Sequence, residues 1–160
     1  MVIEPRIETL SPRFLVGMRM AMSMVTDRTS ELWRSFRPRM GAVPGRVSDG
    51  SVALRSYRAA TDVFDPEAVF ERWAGVEVSG HEDVPEGLEI YRLSGGLYAV
   101  FQPRGPARDL RPVRFFFQEW LPESPFDVDL RPHFELLPAS YDPWSPAATE
   151  ECFIPVRKTA

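Results

Sequence analysis

The feature that most constrains this chain is that one order of elements occurs twice. Phe14–Met24 (FLVGMRMAMSM) reads as an apolar strand, Thr29–Met40 (TSELWRSFRPRM) as an aromatic helix, and Val52–Tyr57 (VALRSY) and Phe70–Val78 (FERWAGVEV) as two further strands. The order then recurs as a strand at Leu97–Arg104 (LYAVFQPR), an aromatic helix at Leu110–Leu121 (LRPVRFFFQEWL), and strands at His133–Leu137 (HFELL) and Cys152–Arg157 (CFIPVR). Aligning the helices pairs Phe36-Arg37-Pro38 with Trp120-Leu121-Pro122, and the flanking strands follow at offsets of roughly eighty residues. Two βαββ units, spanning about residues 5–80 and about residues 88–157, predict an α+β fold: one sheet, two main helices and a pseudo-twofold cleft.

Composition sets the scale of that fold. With 160 residues, 44% hydrophobic and 26% charged, the chain fills one core of ordinary size, so residues 1–160 are expected to form a single domain. No apolar run is long enough to span a bilayer, and MVIEPRIETL lacks both a basic n-region and an apolar h-region. Neither membrane insertion nor export is expected, and the reading is cytoplasmic. The single cysteine, Cys152, cannot form an internal disulfide and reads as a small buried hydrophobe.

Charge argues against nucleic acid. The formal net charge is −4, and the only compact basic group, Arg34, Arg37 and Arg39, reads as a solvated helix face. Specific binding to DNA or RNA is therefore not expected. His81 and His133 have no second His, Cys or carboxylate at a recognisable ligand spacing, so neither a metal nor a cofactor is expected.

Turn signals separate the elements. Pro44-Gly45 and Ser48-Asp49-Gly50 close the segment after the first helix, Pro85-Glu86-Gly87 and Ser94-Gly95-Gly96 bracket a short strand at Leu88–Leu93, and Pro138–Ala148 is a proline-rich excursion before the last strand. Thr29, followed by Leu32, Trp33 and Phe36 at helical spacing, predicts an N-capped amphipathic helix with Trp33 buried. The second helix, with Phe115-Phe116-Phe117 and then Trp120-Leu121, is apolar around much of its circumference. It must be covered on more than one side, which should bury Trp120, and either fills the core or lines a cavity that a ligand completes.

The motifs SELWRSFRPR, FERWAGVEV, PEGLEIYRLSGGLYAVF, FFFQEWLPES, RPHFELL and EECFIPV, in this order from about Pro5 to Arg157, resemble the GyrI-like family, the AraC-type effector-binding domains. The resemblance implies an antiparallel sheet from a duplicated βαββ unit, an SHS2-type module, with a hydrophobic cleft between sheet and helices. It also implies recognition of lipophilic, often cationic, small molecules, as in multidrug binding. In larger relatives the domain is attached to a DNA-binding helix-turn-helix segment. Here the expected strands begin and end close to the two ends of the sequence, so the expectation is a stand-alone domain for sensing or sequestration.

Such a ligand is captured by aromatic walls and a desolvated counter-charge. Trp33, Phe36, Tyr57, Trp73, Tyr98, Phe117 and Trp120 supply aromatic surface, with core filling as the alternative for each. Met18, Met20, Met22 and Met24 alternate along one strand and share a face, either as an adaptable ligand surface centred on Met20 or as a flexible core layer. In HFELL, alternation puts Phe134 and Leu136 on one face and His133, Glu135 and Leu137 on the other. Glu135 is then either a solvated acid or an acid in an apolar wall beside Leu137. The resemblance implies the second, because relatives carry the pocket carboxylate on this strand. Glu77, on the face of Trp73, is the reserve acid.

Binding without turnover is the first expectation. Stand-alone relatives that open cyclopropane-bearing electrophiles make a hydrolase the alternative, with Glu135 as the acid and Tyr57 or Tyr98 assisting. No GxSxG, Cys/His pairing or P-loop supports another catalytic class. Inhibition of a topoisomerase through a protein contact is the third reading the resemblance brings.

Overall fold

The computed structural model describes residues 3–80 and 83–159. In chain order the elements are β1 (Arg6–Leu10), β2 (Arg13–Met22), α1 (Thr29–Phe36), β3 (Ser51–Ser56), β4 (Phe70–Val78), β5 (Glu89–Leu93), β6 (Gly96–Phe101), α2 (Arg111–Phe115), α3 (Leu121–Glu123), β7 (Phe126–Val128), β8 (His133–Leu137) and β9 (Glu151–Lys158). A π-helical turn, Phe116–Trp120, joins α2 to α3 into one interrupted helix. His81 lies outside the described residues.

The strands form one antiparallel sheet in the order β1-β6-β9-β8-β3-β4-β2-β5, with β7 added on β9. Read outward from the middle, β3, β4, β2 and β5 on one side correspond to β8, β9, β6 and β1 on the other. The order is therefore palindromic about the β3–β8 ladder, where the pseudo-twofold relation of the two βαββ units falls. The two ends of the order are also linked, because β1 runs straight into β2 and β5 into β6. Pairing stops at Leu10 opposite Gly96 and resumes in the same register, past the bend, at Arg13 opposite Leu93. At this bend a side chain on Gly95 would sit 2.1 Å from the Leu10 carbonyl oxygen, and Gly96 has a φ of +135. Only glycines fit so close a backbone approach.

Both faces of the sheet are covered, which explains why β2 and β4 are apolar at odd and even positions alike. Val16, Met22, Ala74 and Val76 pack under α1, whose Leu32 and Phe36 are fully buried. Side chains of this size contribute about 2–3 kcal/mol each on burial. Phe101, Cys152, Ile154 and Val156 pack under Phe116 of the second helix on the same sheet face. The opposite face carries its own core, built from Leu15, Leu54, Trp73, Leu93, Tyr98, Phe134 and Phe153.

Several expected boundaries move, each for a local reason. The first helix does not stay α-helical to Met40: Pro38 has no N–H to continue the ladder, and Arg37–Ala42 tightens into a 3-10 turn. Thr29 is the first helical residue and not the N-cap. Asp27 takes a capping part instead, its carboxylate accepting from the Thr29 backbone N–H at 2.9 Å and from the Thr29 hydroxyl. β2 stops at Met22, where the Ser23 hydroxyl accepts from Thr26 N–H in a turn, so Met24 leaves the methionine face and is exposed. β6 stops at Phe101, ahead of Pro103. Trp33 and Trp120 are half-buried and not extensively buried as expected. Among the described residues no helix is long and apolar enough to cross a membrane.

Candidate functional site

α1 packs on β2 and β4, and the second helix packs on side chains of β6 and β9, so the central strands β3 and β8 form the floor of a trough between the helices. Ladder register shows what lies there. One row of side chains crosses four strands as Met20, Arg72, Arg55 and His133. The next row is Met18, Ala74, Ala53, Glu135 and Cys152. Both alanines of this row are buried, and the Glu135 side chain is only 13% exposed.

Glu135 is not alone. Its Oε1 accepts from Arg55 Nη2 at 2.8 Å. Its Oε2 is shielded from solvent with no hydrogen-bond partner, and so are the Nε atoms of Arg55 and Arg72. Burial draws the Arg55 guanidinium down, but Glu135 more than reverses this and leaves it above its ordinary value. Arg72 goes the other way: burial and then repulsion from Arg55 hold it below its ordinary value. His133 stays neutral, pushed down to about 3 by burial and by Arg55.

Glu150, just before β9, completes the polar cluster. It accepts from the Tyr141 hydroxyl at 3.2 Å and from the Cys152 thiol at 3.6 Å, and burial followed by the Glu135 charge raises its carboxyl above the usual range. Burial likewise pushes the Cys152 thiol up. Glu135, Glu150 and Cys152 each bring one ligand atom within 4.8 Å of the others, the geometry of a possible cation site. A guanidinium on Glu135 and a thiol that resists ionisation both work against metal binding there.

The expected pocket residues fall into two sets. Glu135 and Leu137 lie on the trough floor, with Met20, Trp33, Phe36 and Tyr57 in the α1 half and Phe117 and Trp120 in the other half. Tyr57 stands edge-on to His133 at 5.1 Å. Phe64, from the connection between β3 and β4, meets Phe117 at 5.3 Å and so bridges the trough to the second helix. Trp73 and Tyr98 are on the opposite face, in the other core. Tyr98 donates to the Pro132 carbonyl beneath the Arg131 guanidinium, and Trp73 packs on Tyr91. Glu77, the reserve acid, is also on that face and pairs with Arg13 at 3.1 Å. Leu137 and Glu150 together line a groove of about 310 Å³ at one end of the trough, with Ser48, Asp49 and Thr149.

Arg55, Arg72, Glu150 and Tyr141 were not singled out from sequence. The available signal was a charge interrupting an apolar strand, as in VALRSY and FERWAGVEV, the same signal that marks Glu135 in HFELL.

A palindromic sheet with a trough between two helices is the arrangement of a small-molecule-binding α+β domain. The chain belongs to the GyrI-like family, matching the GyrI-like small molecule binding domain over residues 3–157. Solved structures with this fold include SAV2435 bound to tetraphenylphosphonium, with a TM-score of 0.70 at 16% identity over 96% of this chain and 94% of that one. The EcmrR C-terminal domain is similar with a TM-score of 0.72 at 12% identity over 99% and 100% of the two chains. A hydrolase from Listeria innocua is similar with a TM-score of 0.62 at 10% identity over 96% and 92%. No curated protein matches the sequence.

Proposed function

We propose that this chain binds lipophilic aromatic small molecules in the trough between its two helices, for sensing or sequestration. The observation that carries this reading is a partly buried polar centre, Glu135 with Arg55, between apolar side chains from both halves. Met20 and Tyr57 supply one wall, Phe117 the other, and Leu137 part of the floor. Such a site gains affinity from apolar contact and orientation from a few buried polar groups. A relative bound to tetraphenylphosphonium supports an aromatic ligand and makes a cation the natural comparison. Glu135 can act as counter-charge to a ligand cation only by sharing or releasing Arg55, so the charge preference is a separate question.

A second reading, a small hydrolase, draws on the raised carboxyl of Glu150 beside Glu135 and on the Listeria innocua hydrolase of the same fold. The test of the first reading is a fluorescence titration with the neutral probe pyrenebutanol, comparing wild type with Phe117→Ala. Saturable binding weakened by the substitution supports the trough; no saturable binding overturns it. Mass spectrometry of an electrophilic aromatic substrate recovered from the protein reads out turnover, the hydrolase outcome.

A further inference from the structure

The trough has an unusual electrical centre for a site expected to hold cations. Arg55 and Arg72 occupy directly opposed positions of the β3–β4 ladder on the trough face. Like charges directly across a ladder repel. Glu135 is near enough to act on both, but among the described residues it forms an ion pair with Arg55 alone. Glu135 engages Arg55 through one guanidinium nitrogen, while the Arg72 side chain has no hydrogen-bond or ion-pair partner among the described residues. Both Nε atoms are shielded from solvent without partners. Desolvated guanidinium donors left unmatched are costly, and a planar oxyanion is the group their geometry fits.

The neighbours reinforce this. The row containing both arginines ends in Met20 on one side and His133 on the other, an apolar and a neutral group. Glu150 sits beyond Glu135, engaged by the Tyr141 hydroxyl and the Cys152 thiol, and burial raises its carboxyl above the usual range. Asp27 also faces the arginines, but its carboxylate is engaged by the backbone N–H and hydroxyl of Thr29. Ala53 and Ala74 in the next row are buried, whereas Met20, opposite Arg72, and Tyr57, beside His133, are only partly buried and give an aromatic body an apolar surface next to the arginines.

We propose that the trough selects lipophilic aromatic ligands bearing a carboxylate, which bridges Arg55 and Arg72 while the aromatic body lies against Met20 and Tyr57. Glu135 is then a positioning residue, holding Arg55 in place for the ligand. The assignment rests on the trough being the binding site, and it sets the charge that this site prefers.

Three probes with one aromatic body decide it: pyrenebutyrate, pyrenebutanol and pyrenebutylammonium, titrated by fluorescence at neutral pH. The expected order is the carboxylate tightest, by about tenfold or more over the alcohol, with the ammonium weakest. Arg72→Met is expected to remove most of the advantage of the carboxylate over the alcohol, the ratio of the two affinities within each protein being the readout. Binding of the alcohol with the ammonium equal to or tighter than the carboxylate overturns the carboxylate preference and leaves the trough as a binding site. Binding of none of the three overturns both. If Arg72→Met does not fold, the order in wild type alone decides.

Discussion

Arg55 and Arg72 face each other across the β3–β4 ladder, and among the described residues only Arg55 of the two forms an ion pair, with Glu135. This asymmetry separates two superficially equivalent substitutions. Arg72→Met removes a desolvated charge and a like-charge neighbour, and is expected to raise unfolding stability by about 1 kcal/mol. Arg55→Met leaves Glu135 desolvated without its partner and is expected to cost about 3 kcal/mol. Urea unfolding of both variants checks this, and equal losses would contradict it.

His133 makes stability depend on acid. Its imidazole is held neutral down to about pH 3, whereas in the unfolded chain it takes a proton near its ordinary value of 6.5. The unfolded state binds the proton first as pH falls, so stability is full above this range and declines between about pH 6.5 and 3. The expected loss is on the order of 2 kcal/mol by pH 5. Glu150 acts in the opposite sense, since its raised carboxyl is protonated first in the folded state. The His133→Phe variant isolates the histidine: denaturation at neutral pH and at pH 5 should show a smaller difference than in wild type.

Phe64 is 64% exposed yet meets Phe117 across the trough. Phe64→Ala is expected to change stability by less than about 1 kcal/mol, as for most surface positions. Stopped-flow binding of pyrenebutanol should show faster association and faster dissociation, because the substitution removes the bridge over the site. Unchanged rates would assign Phe64 to the surface alone.

How much of this was legible in the sequence depends on whether a feature is local. β4 and β8 have the bounds their residue patterns predict, and the faces of HFELL follow from alternation. The two-unit order was legible because each unit repeats the same periodicities. β1 and β7 were missed because short strands at an edge depend on distant partners, β6 for one and β9 for the other. The faces of Trp73 and Tyr98 could not be read because the sheet is covered on both sides, which removes the polar alternation that tells inside from outside. The cluster of Arg55, Arg72, Glu135 and Glu150 is assembled by pairings between strands far apart in the chain. Their one local trace is a charge in an apolar strand.

The most direct test of the central claim is where a ligand lands, read by carbon-13 methyl NMR during titration with pyrenebutanol. The methyl groups of Met20 and Leu137 border the trough, while those of Leu54 and Leu93 belong to the core on the opposite sheet face. Binding in the trough predicts saturable shifts at Met20 and Leu137, with Leu54 and Leu93 nearly unmoved. Shifts concentrated at Leu54 and Leu93, with Met20 and Leu137 unchanged, would place the ligand on the wrong side of the sheet and contradict the account.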